Sequence, residues 1–361
     1  MTYIYLVLEL SAWVIILSTI IFSWVLLKGL KVLRIRQFFL LLLFAITFCL
    51  IGIIQIIMLY IGVGDLAIVL FKVSRILFLV PLICLIIYLD SVWRPQMSLG
   101  VTVIIIISFI FKVAYVVISP VEYILVEGSR ILVLPFNFLH LIPFIMIFGL
   151  LFYEIINTYP VVKDAIKLNM LNLIAIFAVI IAIGTALEYS YPLFKPQDII
   201  LAYFQYALSG IILSTTALIM RKKAFRRLAP FVIYGAFIST KTGLNISHRA
   251  FVERFKPFIP MASSLLAAVL SLTAGIAERE FSDVFQLYRI ERFSLVIYYG
   301  KKTVFAVLTK QDSKILREVI RSFTFIFETE AGEIPRTFID DETIKLGNYI
   351  LDRFQEMLEG E

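Results

Sequence analysis

Cysteine and histidine are nearly absent from this chain, with two of each in 361 residues. Cys49 and Cys84 fall inside apolar runs without paired spacing, which excludes a disulfide framework and a zinc site as organising devices. His140 and His248 cannot supply the His-Glu-x-x-His helix of an intramembrane zinc protease. Charge is scarce as well, 16% of residues against 61% hydrophobic. One soluble core cannot hide that much apolar surface, so the chain is expected to use a bilayer as solvent. No Gly-rich loop ends in Gly-Lys-Ser/Thr, and residues 199–220 contain no lysine. Those absences argue against an ATP-driven pump and a retinal Schiff-base protein. The first apolar run lacks the basic leader and cleavage site of a secretory signal and reads as a retained span.

What is present organises around Arg221 to Arg227, where five cations fall within seven residues. Before this seam seven runs each supply the roughly 20 residues of a spanning helix. They are Tyr5 to Leu27, Gln37 to Val63, Leu66 to Leu89, Met97 to Ser119, Ile131 to Asn157, Leu168 to Glu188 and Ile199 to Met220. Lipid offers no partners for open backbone groups, so these runs must be helices. The expected fold class is an all-α seven-helix transmembrane bundle over residues 1–222, followed by a C-terminal α/β cytoplasmic domain over residues 223–361.

Charge gives the orientation. Up to Arg227 the chain carries 17 Lys and Arg against 9 Asp and Glu, a net of +8; beyond it the balance is 16 against 17, a net of −1. The basic excess belongs to the membrane half, where inner-leaflet anchoring explains it better than nucleic acid, and no nucleic-acid partner is expected. With the amino terminus outside, inner segments hold 12 cations and the outer side 5. This bias favours a multi-pass cell-membrane protein with an outside amino terminus and a cytoplasmic tail.

Polar residues inside the spans share one depth, in the outer part of the helices. Glu9, Gln55, Lys72, Arg75, Lys112, Asn137, His140, Tyr203, Gln205 and Tyr206 make up this layer. Intramembrane charges cost about 2.5 to 3.5 kcal/mol each near the centre, so they usually face an interior or a wet cavity. As a ligand-binding set, Glu9, Lys72, Arg75, Lys112, Asn137, His140, Tyr203 and Tyr206 would favour an anionic or hydrogen-bonding ligand. The alternative is that the cations snorkel to outer headgroups while His140 satisfies a neighbouring helix. Pro81, Pro135 and Pro143 interrupt spans three and five, which keeps transport in view. Ala178, Ala182 and Ala186, and Ala207, Gly210, Ser214 and Ala217, form small faces for close packing within the bundle or in a homodimer.

After the seam the pattern turns soluble. Phe231 to Ser239 alternates, Lys241-Thr242-Gly243 offers a turn with glycine for positive φ, and Leu244 to Ser247 can return as a strand. Met261 to Ala277 is apolar but short, and reads as a buried helix of this domain rather than an eighth span. Phe285 to Ile290 suits a strand, and Ser294 to Tyr299 with Thr303 to Thr309 a second hairpin around Gly300-Lys301-Lys302. Asp312 or Ser313 can cap a helix with Ile315, Leu316, Val319, Ile320, Phe323 and Phe327 on one face. A last helix begins near Asp340, whose acidic neighbours suit a helix N-terminus.

Hairpin, helix, strand plus hairpin, helix is the element order of Roadblock-type and longin-type domains. The run Tyr234-Gly-Ala-Phe-Ile-Ser-Thr-Lys-Thr-Gly-Leu-Asn-Ile-Ser247 resembles the opening hairpin of a Roadblock-like module, over about residues 229–330. That resemblance implies an antiparallel sheet with helices and a non-catalytic platform that binds small Ras-like GTPases or other cytoplasmic signalling proteins. The tail holds no nucleophile with a matching base, so no enzyme activity, metal or cofactor is expected. Three functions stay open: a receptor or adaptor, a transporter of a small anion with a regulatory tail, and a membrane anchor that recruits a GTPase.

Overall fold

The computed structural model describes residues 3–32, 36–61, 64–126, 129–135, 138–162, 170–189, 199–220, 232–280, 282–290, 293–332, 334 and 339–359. The described chain opens with α1 (Tyr3–Val32), α2 (Arg36–Ile61), α3 (Asp65–Leu77), α4 (Leu79–Trp93) and α5 (Leu99–Ile118). A hairpin, β1 (Glu122–Val126) and β2 (Ser129–Val133), leads to α6 (Phe138–Val162), α7 (Met170–Tyr189) and α8 (Ile199–Met220). Among the described residues, five stretches are long and apolar enough to cross a bilayer: Leu6–Leu27, Phe38–Ile61, Asp65–Trp93, Leu99–Ile118 and Leu141–Tyr159. Helix α7 is apolar over a shorter described stretch, Asn172–Leu187.

Two details of the expected spans change. The run starting at Ile131 is not helical at its outset, because Ile131 to Val133 pair with β1 as a strand. Of the three prolines, Pro81 alone interrupts a span: it can give no N–H to the carbonyl one turn back, and the helix breaks between Leu77 and Leu79. Pro135 precedes α6, and Pro143 lies inside α6, which continues through it.

The helices close a ring. Helix α1 packs on α2 and α8, α8 on α7, α7 on α6, α6 on α4 and α4 on α2, while α5 lies outside against α3 and α6. Aromatic side chains fill the middle, Phe44 meeting Phe22 and Phe177 edge-to-face at 6.3 and 5.6 Å. The small face of α8 meets α1: a Cβ on Gly210 would come within 2.9 Å of Val14, and Ser214 donates to Ser18 at 2.8 Å. Gly210 therefore serves packing within the bundle.

The tail forms β3 (Ile233–Thr240), β4 (Asn245–Ala250), α9 (Ile259–Glu280), β5 (Val284–Ile290), β6 (Phe293–Tyr299), β7 (Thr303–Thr309), α10 (Lys314–Glu330) and α11 (Asp341–Glu359). Its five-stranded sheet runs β4-β3-β7-β6-β5 with every neighbour antiparallel. Side chains alternate between two cores, as a period of two requires. Leu295, Ile297, Tyr299, Val304 and Ala306 join Leu266 and Leu270 of α9 on one face. Val296, Tyr298, Phe305 and Val307 join Ile315, Val319, Phe323 and Phe354 on the other. The region Met261 to Ala277 thus lies within α9, against the tail's sheet, and β4 carries exposed His248 in a strand rather than a loop.

Local chemistry fixes the turns. Gly243 takes φ 91°, the left-handed conformation that the β3–β4 turn needs. Asp283 is the non-glycine residue at positive φ among those described, 62°, and its carboxylate accepts from Tyr298 at 2.8 Å and pairs with Arg321 at 2.9 Å. Burial, together with that bond to Asp283, pushes the Tyr298 hydroxyl up to about 12. At the β6–β7 turn the Glu328 carboxylate accepts from the amides of Lys302 and Thr303 at 2.7 and 2.8 Å and from the Thr303 hydroxyl at 2.9 Å. Gly300 permits this approach, since a Cβ there would meet Glu328 at 2.4 Å and Thr324 at 2.7 Å.

Glu328→Ala leaves those amides without their ionised acceptor and is expected to lower tail stability by about 2 kcal/mol, read as a drop in Tm of the detergent-solubilised protein. Gly300→Ala should destabilise in the same assay. At α11, Thr343 donates from its amide to Asp340 at 2.7 Å, and hydrogen bonds from the Thr343 side chain and backbone hold the Asp340 carboxyl below its ordinary value. A lowered carboxyl contributes stability above its ordinary value of 3.8 and loses it as pH falls through the folded value. Amide exchange in the first turn of α11 should accelerate on acidification, and Asp340→Ala should remove that acid step while fraying the turn at neutral pH.

Candidate functional site at the tail-facing end of the bundle

Helix α4 stops because Arg94 precedes Pro95, and a residue before proline is pushed out of the helical region; Arg94 takes φ −119°, ψ 143°. Ending a helix leaves its last carbonyls without intrahelical partners. The tail supplies two. Gln311 donates from Nε2 to the Trp93 carbonyl at 2.7 Å, and the Lys314 amide donates to the Arg94 carbonyl at 3.1 Å. Lys314 is the first residue of α10 and Ser313 its cap, accepting from the Leu316 amide at 3.2 Å. An α10 N-terminus, with its surplus of N–H groups, therefore abuts an α4 C-terminus with its surplus of carbonyls, an arrangement the helix dipoles favour.

Directly behind this contact lie two buried carboxylates. Glu154 of α6 is 0% exposed and Asp90 of α4 is 2% exposed. Trp93 donates its indole N–H to Glu154 Oε2 at 2.6 Å, whereas Glu154 Oε1 has no hydrogen-bond partner among the described residues. Arg94 pairs with Asp90 at 3.1 Å, donates to the Tyr153 hydroxyl at 3.3 Å, and lies 3.8 Å over the Trp93 ring. Asp90 also lies within electrostatic reach of Lys314. One arginine thus connects α4, α6 and, through its own carbonyl, the tail.

The polar layer expected on the outer side is distributed over separate seams. Glu9 accepts from the Tyr60 hydroxyl at 2.9 Å, joining α1 to α2. Lys72 donates to the Val117 carbonyl at 2.9 Å, joining α3 to α5. Arg75 on α3 is buried with its guanidinium 4.6 Å from the Phe71 ring, and Lys112 on α5 is buried too. Tyr115 donates to the Pro135 carbonyl. Tyr206 is buried with its ring 6.4 Å from Phe78, and buried Gln205 lies so near Gly184 that a Cβ there would overlap it. Asn137 and the side chains of His140 and Tyr203 lie outside the described residues.

The sequence pattern did not single out this cluster: Arg94 is one of the 12 cations counted for the inner segments, and Asp90 and Glu154 carried no expectation. The available signal was their chemistry, since acidic side chains inside apolar spans are rare and costly. A scan of protein-family models finds no match to this chain, and a search of curated proteins finds none.

Lys314→Pro tests the contact cleanly. Proline is tolerated at the first position of a helix, so α10 keeps its fold while the bond to Arg94 is lost. Combined with Gln311→Ala, it is expected to weaken docking by about thirtyfold, the loss of two bonds of about 1 kcal/mol each, read as growth of a longer distance between spin labels at exposed Leu99 and Phe325 in a Cys49→Ala, Cys84→Ala background, with tail melting unchanged.

Proposed function

We propose that the chain is a seven-span membrane receptor or adaptor whose tail is a cytoplasmic interaction domain held against the bundle. The observation that carries this reading is the pair of hydrogen bonds from Gln311 and Lys314 to the carbonyls that end α4. They give bundle and tail a shared joint backed by charged residues from two helices, which a simple anchor on a loose linker would not need.

Crossing parity supports the span count. The end of α4 and the tail share one face, so the chain between them crosses an even number of times. Helices α5 and α6 make two crossings, so α7 and α8 cross together or not at all. Their place in the ring, between α6 and α1, favours crossing. The cation bias puts that shared face inside. Sheet order β4-β3-β7-β6-β5, with α9 on one face and α10 on the other, supports a Roadblock- or longin-like tail and hence a GTPase or similar signalling partner. An anionic ligand on the outer side stays the proposed input, with Lys72 and Arg75 on α3 and Lys112 on α5, two helices packed together.

Full-length protein in vesicles, mixed with purified small Ras-like GTPases in both nucleotide states, is expected to co-float at least one of them, and deletion of residues 232–361 should abolish this. Absence of binding in either state, together with flux of a loaded anion, would assign the chain to transport instead. Lys72→Ala with Lys112→Ala should leave GTPase binding intact and remove its response to outer-side anions.

A further inference from the structure

The end of the tail's sheet that meets the bundle has a second feature. Register places Ile233 opposite Thr309, Gly235 opposite Ala250, Ser294 opposite Thr309 and Ile290 opposite Phe293. These strand ends therefore share one edge of the domain, the edge from which Gln311 and Lys314 reach the end of α4. The segment that follows β4 leaves this same edge. It turns through the short 3₁₀ helix Glu253–Phe255 and enters α9 at Ile259.

Its base is pinned. Phe255 packs against Tyr234 at 4.4 Å and Phe293 at 5.4 Å, and Ile259 lies so close to Gly235 that a Cβ there would overlap it. Its tip is apolar and uncovered: Phe258 is 57% exposed and Met261 70%. Arg254 and Lys256 are exposed beside them, Lys256 pairing with the exposed Glu253 at 3.2 Å.

We propose that residues 254–261 form a second membrane contact, in which Phe258 and Met261 enter the inner leaflet and Arg254 and Lys256 meet anionic headgroups. Two apolar side chains flanked by cations suit the boundary between headgroups and acyl chains. Continuity with the α4 contact favours lipid as the occupant over a second copy of the chain. The segment and the bundle then hold the domain at two points, which fixes how its remaining surface is presented to a partner.

This rests on the inner-face placement of the tail, and the test separates the two. Phe258→Cys and Met261→Cys, each carrying an environment-sensitive dye in a Cys49→Ala, Cys84→Ala background, are compared with Phe325→Cys in full-length protein. Phe325 is 68% exposed, eleven residues along α10 from its docked start, or about 16 Å. In vesicles of phosphatidylcholine and phosphatidylserine, headgroup-spin-labelled lipid is expected to quench the dye at 258 and 261 about threefold more than at 325. Arg254→Glu with Lys256→Glu, or omission of phosphatidylserine, should reduce that difference. Equal access of an aqueous quencher to 258 and 325 overturns the proposal, as does protection at 258 that follows protein density rather than lipid. A dye at 325 reached only from the amino-terminal side of sealed vesicles overturns the placement itself.

Discussion

Carbonyls at the end of a helix must find donors, and in α4 those donors come from the tail. The Trp93 and Arg94 carbonyls would otherwise be left to water at the membrane surface. Replacing water by Gln311 and the Lys314 amide gains about 1 kcal/mol per bond, so the pair contributes about 2 kcal/mol. Covalent tethering makes the encounter intramolecular, which removes most of the association cost. The joint has an apolar part as well, since buried side chains of the bundle and of the tail belong to one continuous cluster, so the two bonds orient the docked tail rather than supply all of its docking energy.

Much of the tail was legible because alternation and capping are local. Val296, Ile297, Tyr298 and Tyr299 alternate between the two faces as their positions along β6 dictate. Ser313, one of the two expected caps, caps α10, and Asp340 accepts at the start of α11, where a helix was expected to begin. The membrane half was legible in outline, as apolar length, but not in its details. Ile131 to Val133 are as apolar as the helix after them, so nothing in hydropathy separates the strand from the span. Proline identity alone did not say which of three prolines breaks a helix: Pro143 lies inside α6 and α6 continues through it, whereas the span breaks ahead of Pro81.

The candidate site was the least legible part, because depth along a helix says nothing of direction around it. Glu9 and Lys72 occupy the same expected layer, yet one ties α1 to α2 and the other α3 to α5. Pairings such as Trp93 with Glu154, and Gln311 with the Trp93 carbonyl, join residues far apart in the chain. No periodicity encodes them.

Asp90 and Glu154 raise the question of why a bundle would bury two carboxylates beside one arginine. Buried ion pairs are weak sources of stability, since desolvation offsets their attraction, and apolar substitutes of the same volume are often neutral or better. Their geometry here does something apolar side chains cannot. The Arg94 guanidinium is held by Asp90 and Tyr153 and stacked on Trp93, whose indole is itself held by Glu154. Those bonds fix the direction in which two successive backbone carbonyls leave α4, and those carbonyls receive the tail. A shift of α6 against α4 must therefore change either the charge contacts or the carbonyl directions, and the second route ends in the tail. The costly side chains make sense as a lever between helix packing and domain docking, a role that depends on orientation and not on net binding energy.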